Sequence, residues 1–330
     1  MAKKKKMSTG KKVGITALAA VVVIGGVVGV SKISSNSSAS SNVLNEYLPT
    51  DMTTQDLSLM TDQYAFEVAA NVQQGLLSRT SSGAPKAGLA KSWSHSKDGL
   101  TWTFHLRKGL KWSNRDPLTA SDFVYAWQRT VNPKTASQYA YIYSGIKNAD
   151  AINSGKDKDL SSLGIKAKNK TTLVVTLEHP MPQFQNLMAF PVFFAQDKKF
   201  ESSLGSKVGT SSSKQVYSGP YKFVGWNGSN KKFKLVPNKN YWDAKAVKNK
   251  GVNFQVVTDT TAAAESKDAL NSKARIADEV RAEKILYQNS AVNPVYWVNS
   301  PVLTNPKVKG ILNFSSGAGS YYMHAYISKK

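Results

Sequence analysis

The sequence predicts a mixed α/β protein with inserted segments, and three observations carry that reading. Several short runs alternate apolar and polar residues at a period of two, the pattern of half-buried strands. Other runs space apolar residues three and four apart, the pattern of one helix face. The two kinds follow one another without a regular strand–helix–strand rhythm, and no stretch repeats, which argues against a doubly wound sheet or a solenoid. With 330 residues, 41% of them hydrophobic, the chain has ample material for a large core.

In chain order, a helix is expected over about residues 64–77. Ser81, Ser82, Gly83 and Pro85 then mark a loop. Trp102, Phe104 and Leu106 alternate with Thr103, His105 and Arg107, so a strand with one apolar face follows. Lys108 and Gly109 turn the chain, and residues 110–112 are expected as a second short strand. Thr119 opens a helix with Asp122 three residues later, close to a capping box. Phe123 and Trp127 share a face of that helix, with Val124 and Val131 beside them, and Asn132 followed by Pro133 ends it. Leu173, Val175 and Leu177 give another strand, stopped at His179 and Pro180. Residues 221–226, 233–235 and 252–257 read as further strands. Ile276, Val280 and Ile285 give a helical face within about 260–287. A strand over 294–298 and a tyrosine-rich tail close the chain.

The amino terminus sets the compartment. Lys3 to Lys6, Lys11 and Lys12 precede an uncharged run of 18 residues, Val13 to Val30. Positive charge ahead of an apolar run is the pattern of an exported segment. Residues 1–12 are then a cytoplasmic basic region, 13–30 a signal or transmembrane anchor, and 31–44 a Ser/Asn-rich flexible linker. The segment either stays as an anchor or is cut near Ser37, Ser38 and Ala39. The expected location is the extracytoplasmic face of the cell membrane, by retention or after secretion.

Composition excludes several chemistries. There is no cysteine, which removes disulfides, thiolate metal sites, cysteine nucleophiles and a lipid-modified cysteine. His95, His105, His179 and His324 are too scattered to form a metal-ligand pair on one helix turn. The formal charge is +23, of which seven lysines in the first 45 residues supply part and +16 remains. That remainder is dispersed and mostly lysine, so it reads as a solvated surface facing an anionic membrane or wall and not as a nucleic-acid groove. No nucleophile elbow, phosphate loop or dinucleotide fingerprint occurs, so neither an enzyme nor a cofactor is expected.

Specific stretches go further. Leu89 to Trp93, then Asp98 to Ser113 with Thr101, Trp102, Thr103 and Phe104 at its centre, then Asp116 to Arg129 closely resemble the signature of oligopeptide- and dipeptide-binding proteins of ABC importers, solute-binding protein family 5. Asn132 to Tyr139, Ser218 to Tyr221, Asn240 to Trp242 and the tail from Ala282 to Trp297 also resemble family counterparts. The resemblance implies a periplasmic-binding-protein-like clamshell of the type II, peptide-binding cluster. It also implies peptides held largely through main-chain hydrogen bonds, with permease subunits as partners.

The sequence departs from that pattern at Gln74, where an acid is usual, and at Arg115, where a glycine is usual. The chain also passes from Val257 toward Ala274 across only about a dozen residues, 262–273, where the second lobe should lie. The expected form is a clamshell reduced to one lobe with an inserted smaller domain. Its core lobe would take residues 45–80 and 165–330, and the insert about 81–164. By resemblance, Thr61, Asp62, Gln63, Tyr64 and Tyr139 face the ligand. The alternative is a truncated, non-transport surface homologue: an adhesin, a peptide-sensing module or a decaying gene product.

Overall fold

The computed structural model describes residues 42–80, 82–257, 308–313 and 320–328. The amino-terminal segment, the expected helix at 260–287 and the strand at 294–298 lie outside the described residues. In order, the elements begin β1 (Val43–Leu48), α1 (Gln63–Val72), β2 (Leu77–Arg79), β3 (Pro85–Ala87), β4 (Ala90–His95) and β5 (Thr101–Leu106). Next come α2 (Ala120–Val131), α3 (Ala149–Asn153), β6 (Ile165–Asn169), β7 (Thr172–Thr176), α4 (Phe184–Leu187) and α5 (Lys198–Ser202). Then follow β8 (Tyr221–Val224), β9 (Lys232–Pro237), β10 (Gly251–Val256) and the two-residue strands β11 (Val308–Lys309), β12 (Leu312–Asn313), β13 (Ser320–Tyr321) and β14 (Tyr326–Ile327).

Two four-stranded sheets organise these elements. One runs β1-β10-β9-β8, with β1 parallel to β10 from Val43 opposite Gly251 to Leu48 opposite Val256. The other runs β4-β5-β7-β6 and is antiparallel throughout. It takes strands from both sides of the expected boundary near residue 164, because β6 and β7 pair back onto β5.

Alternation does what the sequence requires of it. Trp102, Phe104 and Leu106 are buried while His105 is exposed. α2 buries Phe123 and Trp127, and its Asp122 carboxylate accepts the Thr119 backbone N–H at 2.7 Å. Trp127, Tyr143 and Phe193 meet with ring centroids 4.4 to 5.6 Å apart. The Trp127 indole donates to the Phe193 carbonyl at 2.9 Å, so this buried polar edge is satisfied.

Two expectations need correction. The first helix ends at Val72, not Leu77, because Gln73 turns to an extended conformation. Its side-chain amide donates to the Val216 carbonyl at 2.7 Å and accepts from the Ser218 backbone at 2.9 Å. Gly219 packs so closely there that a Cβ would stand 2.7 Å from the Val72 carbonyl carbon. Leu77 instead begins β2. Residues 110–112 are also not a strand: a single bridge joins Lys111 to Pro117, and the Trp112 amide donates to the Asp116 carbonyl at 2.9 Å within a tight turn.

Candidate functional site

The loop before α1 is built around Asp62. Its Oδ1 accepts from the Ala65 amide at 2.7 Å, capping the helix, and its Oδ2 accepts from the Thr53 amide at 3.1 Å and the Thr53 hydroxyl at 2.9 Å. Both oxygens are thus engaged in holding the loop. Thr61 is half-buried, Gln63 is exposed at the first helical position, and Tyr64 is half-buried against the core. Burial, with Glu67 and Asp62 nearby, raises the Tyr64 phenol above its ordinary value, so it is a neutral donor at physiological pH.

Tyr139 comes to the same place from a distant part of the chain. Phe66, four residues after Asp62, meets the Tyr139 ring edge-on at 5.3 Å and the Phe190 ring at 5.0 Å. Tyr139 also lies 5.9 Å from Phe190 and stacks at 6.0 Å on Tyr141, which is 64% exposed. The start of α1 and Tyr139 therefore share one aromatic cluster whose outer ring is open. Such a surface offers a large, stiff contact area with hydroxyl tips.

Sequence reasoning missed the groups that hold this loop. Arg129 of α2 clamps Asp56 with two hydrogen bonds of 2.6 Å and donates to Gln196 at 3.0 Å. Asp56 in turn accepts the Ser58 amide at 2.9 Å through Oδ1, and its backbone carbonyl accepts the Met60 amide at 2.9 Å. Burial opposes charge on Arg129, but the Asp56 carboxylate outweighs it and keeps the guanidinium protonated beyond its usual range. Glu201, 3.9 Å from Arg129, is pushed up to about 8, chiefly by burial. The pairing of positions 56 and 129 has no periodicity to reveal it; only the fold joins them.

At the other end of α1, Gln74 ties two recognisable stretches together. It donates to the Tyr241 hydroxyl at 2.8 Å and accepts from the Trp242 indole at 2.6 Å, while Arg107 lies 3.6 Å over the Trp242 ring. The carboxy-terminal segment docks on α1 through Tyr322, whose hydroxyl donates to Glu67 at 2.6 Å and whose amide donates to Asn71 at 3.0 Å. Burial raises Glu67 to about 7.

The sequence matches bacterial extracellular solute-binding proteins, family 5 Middle, over residues 84–308, more than half of the chain. The dipeptide-binding protein of Lactococcus lactis subsp. cremoris (strain MG1363) is 37% identical over 327 residues, covering 93% of this chain and 59% of that protein. Among solved structures, Listeria monocytogenes OppA bound to peptide aligns with a TM-score of 0.66 at 37% identity, over 68% of this chain and 44% of that one. The pheromone receptor PrgZ, a structure concerned with its mode of peptide binding, aligns with a TM-score of 0.65 at 33% identity, over 68% of this chain and 44% of that one. The chain thus spans about half the length of these relatives, in agreement with a fold reduced to one lobe.

Proposed function

The chain belongs to the bacterial extracellular solute-binding proteins of family 5, and from that premise we propose that it is a peptide-binding lobe of an ABC-type oligopeptide importer. The observation that carries the reading is the convergence of the loop at Thr61, Asp62, Gln63 and Tyr64 with Tyr139 on Phe66. Relatives that align with this lobe, the Lactococcus lactis dipeptide-binding protein, Listeria monocytogenes OppA and PrgZ, are themselves peptide binders. In the proposed mode an extended peptide lies along the loop, its backbone pairing with the main chain and its side chains resting on the aromatic cluster. Side-chain selectivity is then broad.

One wall instead of two lowers the affinity. Less ligand area is removed from water and fewer peptide groups find partners, so dissociation constants in the micromolar to millimolar range are expected. Location at the extracytoplasmic face through the amino-terminal segment, and permease subunits as partners, belong to the same proposal. A second reading, a non-transport surface homologue, is favoured by the chain covering 44% of OppA. Peptide uptake by cells relying on this chain separates the two: growth on an essential amino acid supplied as peptide supports import, and binding without uptake supports the surface homologue.

Tryptophan fluorescence titration with a mixed peptide pool tests binding itself. A saturable change is expected, weakened about tenfold or more in Tyr139→Ala through loss of aromatic contact. A flat response at millimolar peptide would sink the reading.

A further inference from the structure

The sheet β1-β10-β9-β8 buries one apolar face and leaves an outer face on which polar side chains stand beside half-buried Tyr47, Val224 and Val236. Alternation places Asn45 of β1, Asn253 and Gln255 of β10, Lys232 and Lys234 of β9, and Lys222 of β8 on that face. Lys234 stands directly across from Asn253, which is across from Asn45, and Lys232 stands across from Gln255. The Asn253 amide donates to Asn45 at 3.0 Å. Asn45, Asn253, Gln255, Lys232 and Lys234 share the lining of one shallow concavity with Tyr47, Val224 and, at its base, Glu46. Lys232 and Lys234 are exposed, and among the described residues none of the three lysines has an ion-pair partner.

The charge around this face is one-sided. From residue 205 to 257 the chain carries ten lysines and one acid, Asp243. The only acid in the four strands is Glu46, which alternation turns inward and which acts on the buried Glu67 and Tyr322. The cations are all lysine. A compact, strongly hydrated ammonium on a flexible stem suits a diffuse layer of anionic headgroups, whereas bidentate recognition of a single phosphate calls for arginine. The larger apolar side chains that share this face, Tyr47, Val224 and Val236, are half-buried in the sheet surface, so contact is at the headgroup level.

We propose that this lysine-lined sheet face is a docking surface for an anionic lipid bilayer. Charge complementarity gives the sign of the partner, and the chain's own connectivity gives its nature. β1, the edge strand of this sheet, begins one residue after Asn42, the first described residue. Ahead of it lie the Ser/Asn-rich residues 31–42 and the 18-residue apolar run. Twelve residues of chain reach at most roughly 40 Å, so the sheet edge is tied within that distance of the apolar run. If the apolar run enters a bilayer, the linker joins that bilayer to this sheet's edge. Several lysines on one face then gain from the surface potential together, within a screening distance of about 8 Å at physiological salt.

The test uses the full chain mixed with vesicles of phosphatidylcholine, with or without phosphatidylglycerol. Lysines are labelled with a water-soluble amine-acylating reagent and read by peptide mass spectrometry. Neutral vesicles register any insertion of the apolar run, so the anionic-minus-neutral difference isolates the lysine face. Labelling of Lys222, Lys232 and Lys234 is expected to fall severalfold with anionic vesicles only, and to recover in high salt. Lys166 and Lys168 on β6 should label equally in both. In the triple variant Lys222→Gln/Lys232→Gln/Lys234→Gln, protection of the flanking Lys231 and Lys239 should be lost while thermal unfolding is unchanged. Equal labelling in the two vesicle types overturns the proposal, as does protection of Lys231 and Lys239 that survives the triple substitution. Equal protection by inorganic phosphate without vesicles also overturns it, since that would mark a free-anion site.

Discussion

Arg115 holds the left-handed region at φ 76°, exposed, in the turn after Trp112. That explains why a glycine is usual there: a side chain at this backbone angle is strained by roughly 1–2 kcal/mol. Arg115→Gly is therefore expected to stabilise the fold by about 1 kcal/mol, offset in part by the extra freedom of glycine in the unfolded chain. Urea denaturation reads this directly, and a lower midpoint would contradict it. Asp56 and Arg129 are 2% and 18% exposed, a buried pair. Asp56→Ala leaves an uncompensated guanidinium and should cost about 3–5 kcal/mol, whereas Asp56→Leu with Arg129→Met should cost clearly less. Equal losses in a double-mutant cycle would mean the two charges do not act as a pair. Residue-scale features were unevenly legible. Arg115 stood out in the sequence as a departure, but its cause is a backbone angle that no side-chain pattern encodes. The sequence marks Asp62 for the ligand-facing loop but not the bonds of its carboxylate, which accepts from Ala65 and Thr53 and so shapes that loop.

Among the elements, those with strong periodicity were legible. β5 and α2 fall where Trp102, Phe104, Phe123 and Trp127 put them, because burial of one face dictates both position and register. The end of α1 was not legible. Residues 73–76 are compatible with helix, and only Ser218 and Gly219, far along the chain, extract Gln73 from it. The carboxy-terminal segment depends on α1 in the same non-local way. Tyr322→Phe removes the hydrogen bond to buried Glu67 and should cost about 1–2 kcal/mol, with loosening concentrated in residues 320–328 by hydrogen exchange. Uniform loosening across both sheets would argue against a local dock. Glu67 also gives this contact a pH dependence. Its folded value of about 7 lies above its ordinary 4.5, so the folded state holds an extra proton between those values. Stability from this source is full below about pH 4.5 and is lost as the pH rises through 7.

At the scale of the molecule the same sign recurs. Asp122 is raised to about 6 and Glu201 to about 8, both chiefly by burial. The described domain should therefore melt at a higher temperature near pH 5 than at pH 8, and Glu67→Gln should flatten part of that slope. A melting temperature that climbs with pH would overturn this account. Family and fold were legible because the matching stretches are long and ordered. Which residues meet at the candidate site was only partly so: Tyr139 and the loop at 61–64 could be named, but Phe190 and Phe66 could not, since nothing in the sequence links positions 66, 139 and 190.

The central claim is that this single lobe binds peptide where the α1 loop and Tyr139 converge. Hydrogen exchange with and without saturating peptide tests it most directly. The account predicts slowed exchange confined to residues around 61–66 and 139–142. Saturable binding with protection elsewhere, or no protection anywhere at millimolar peptide, would contradict it.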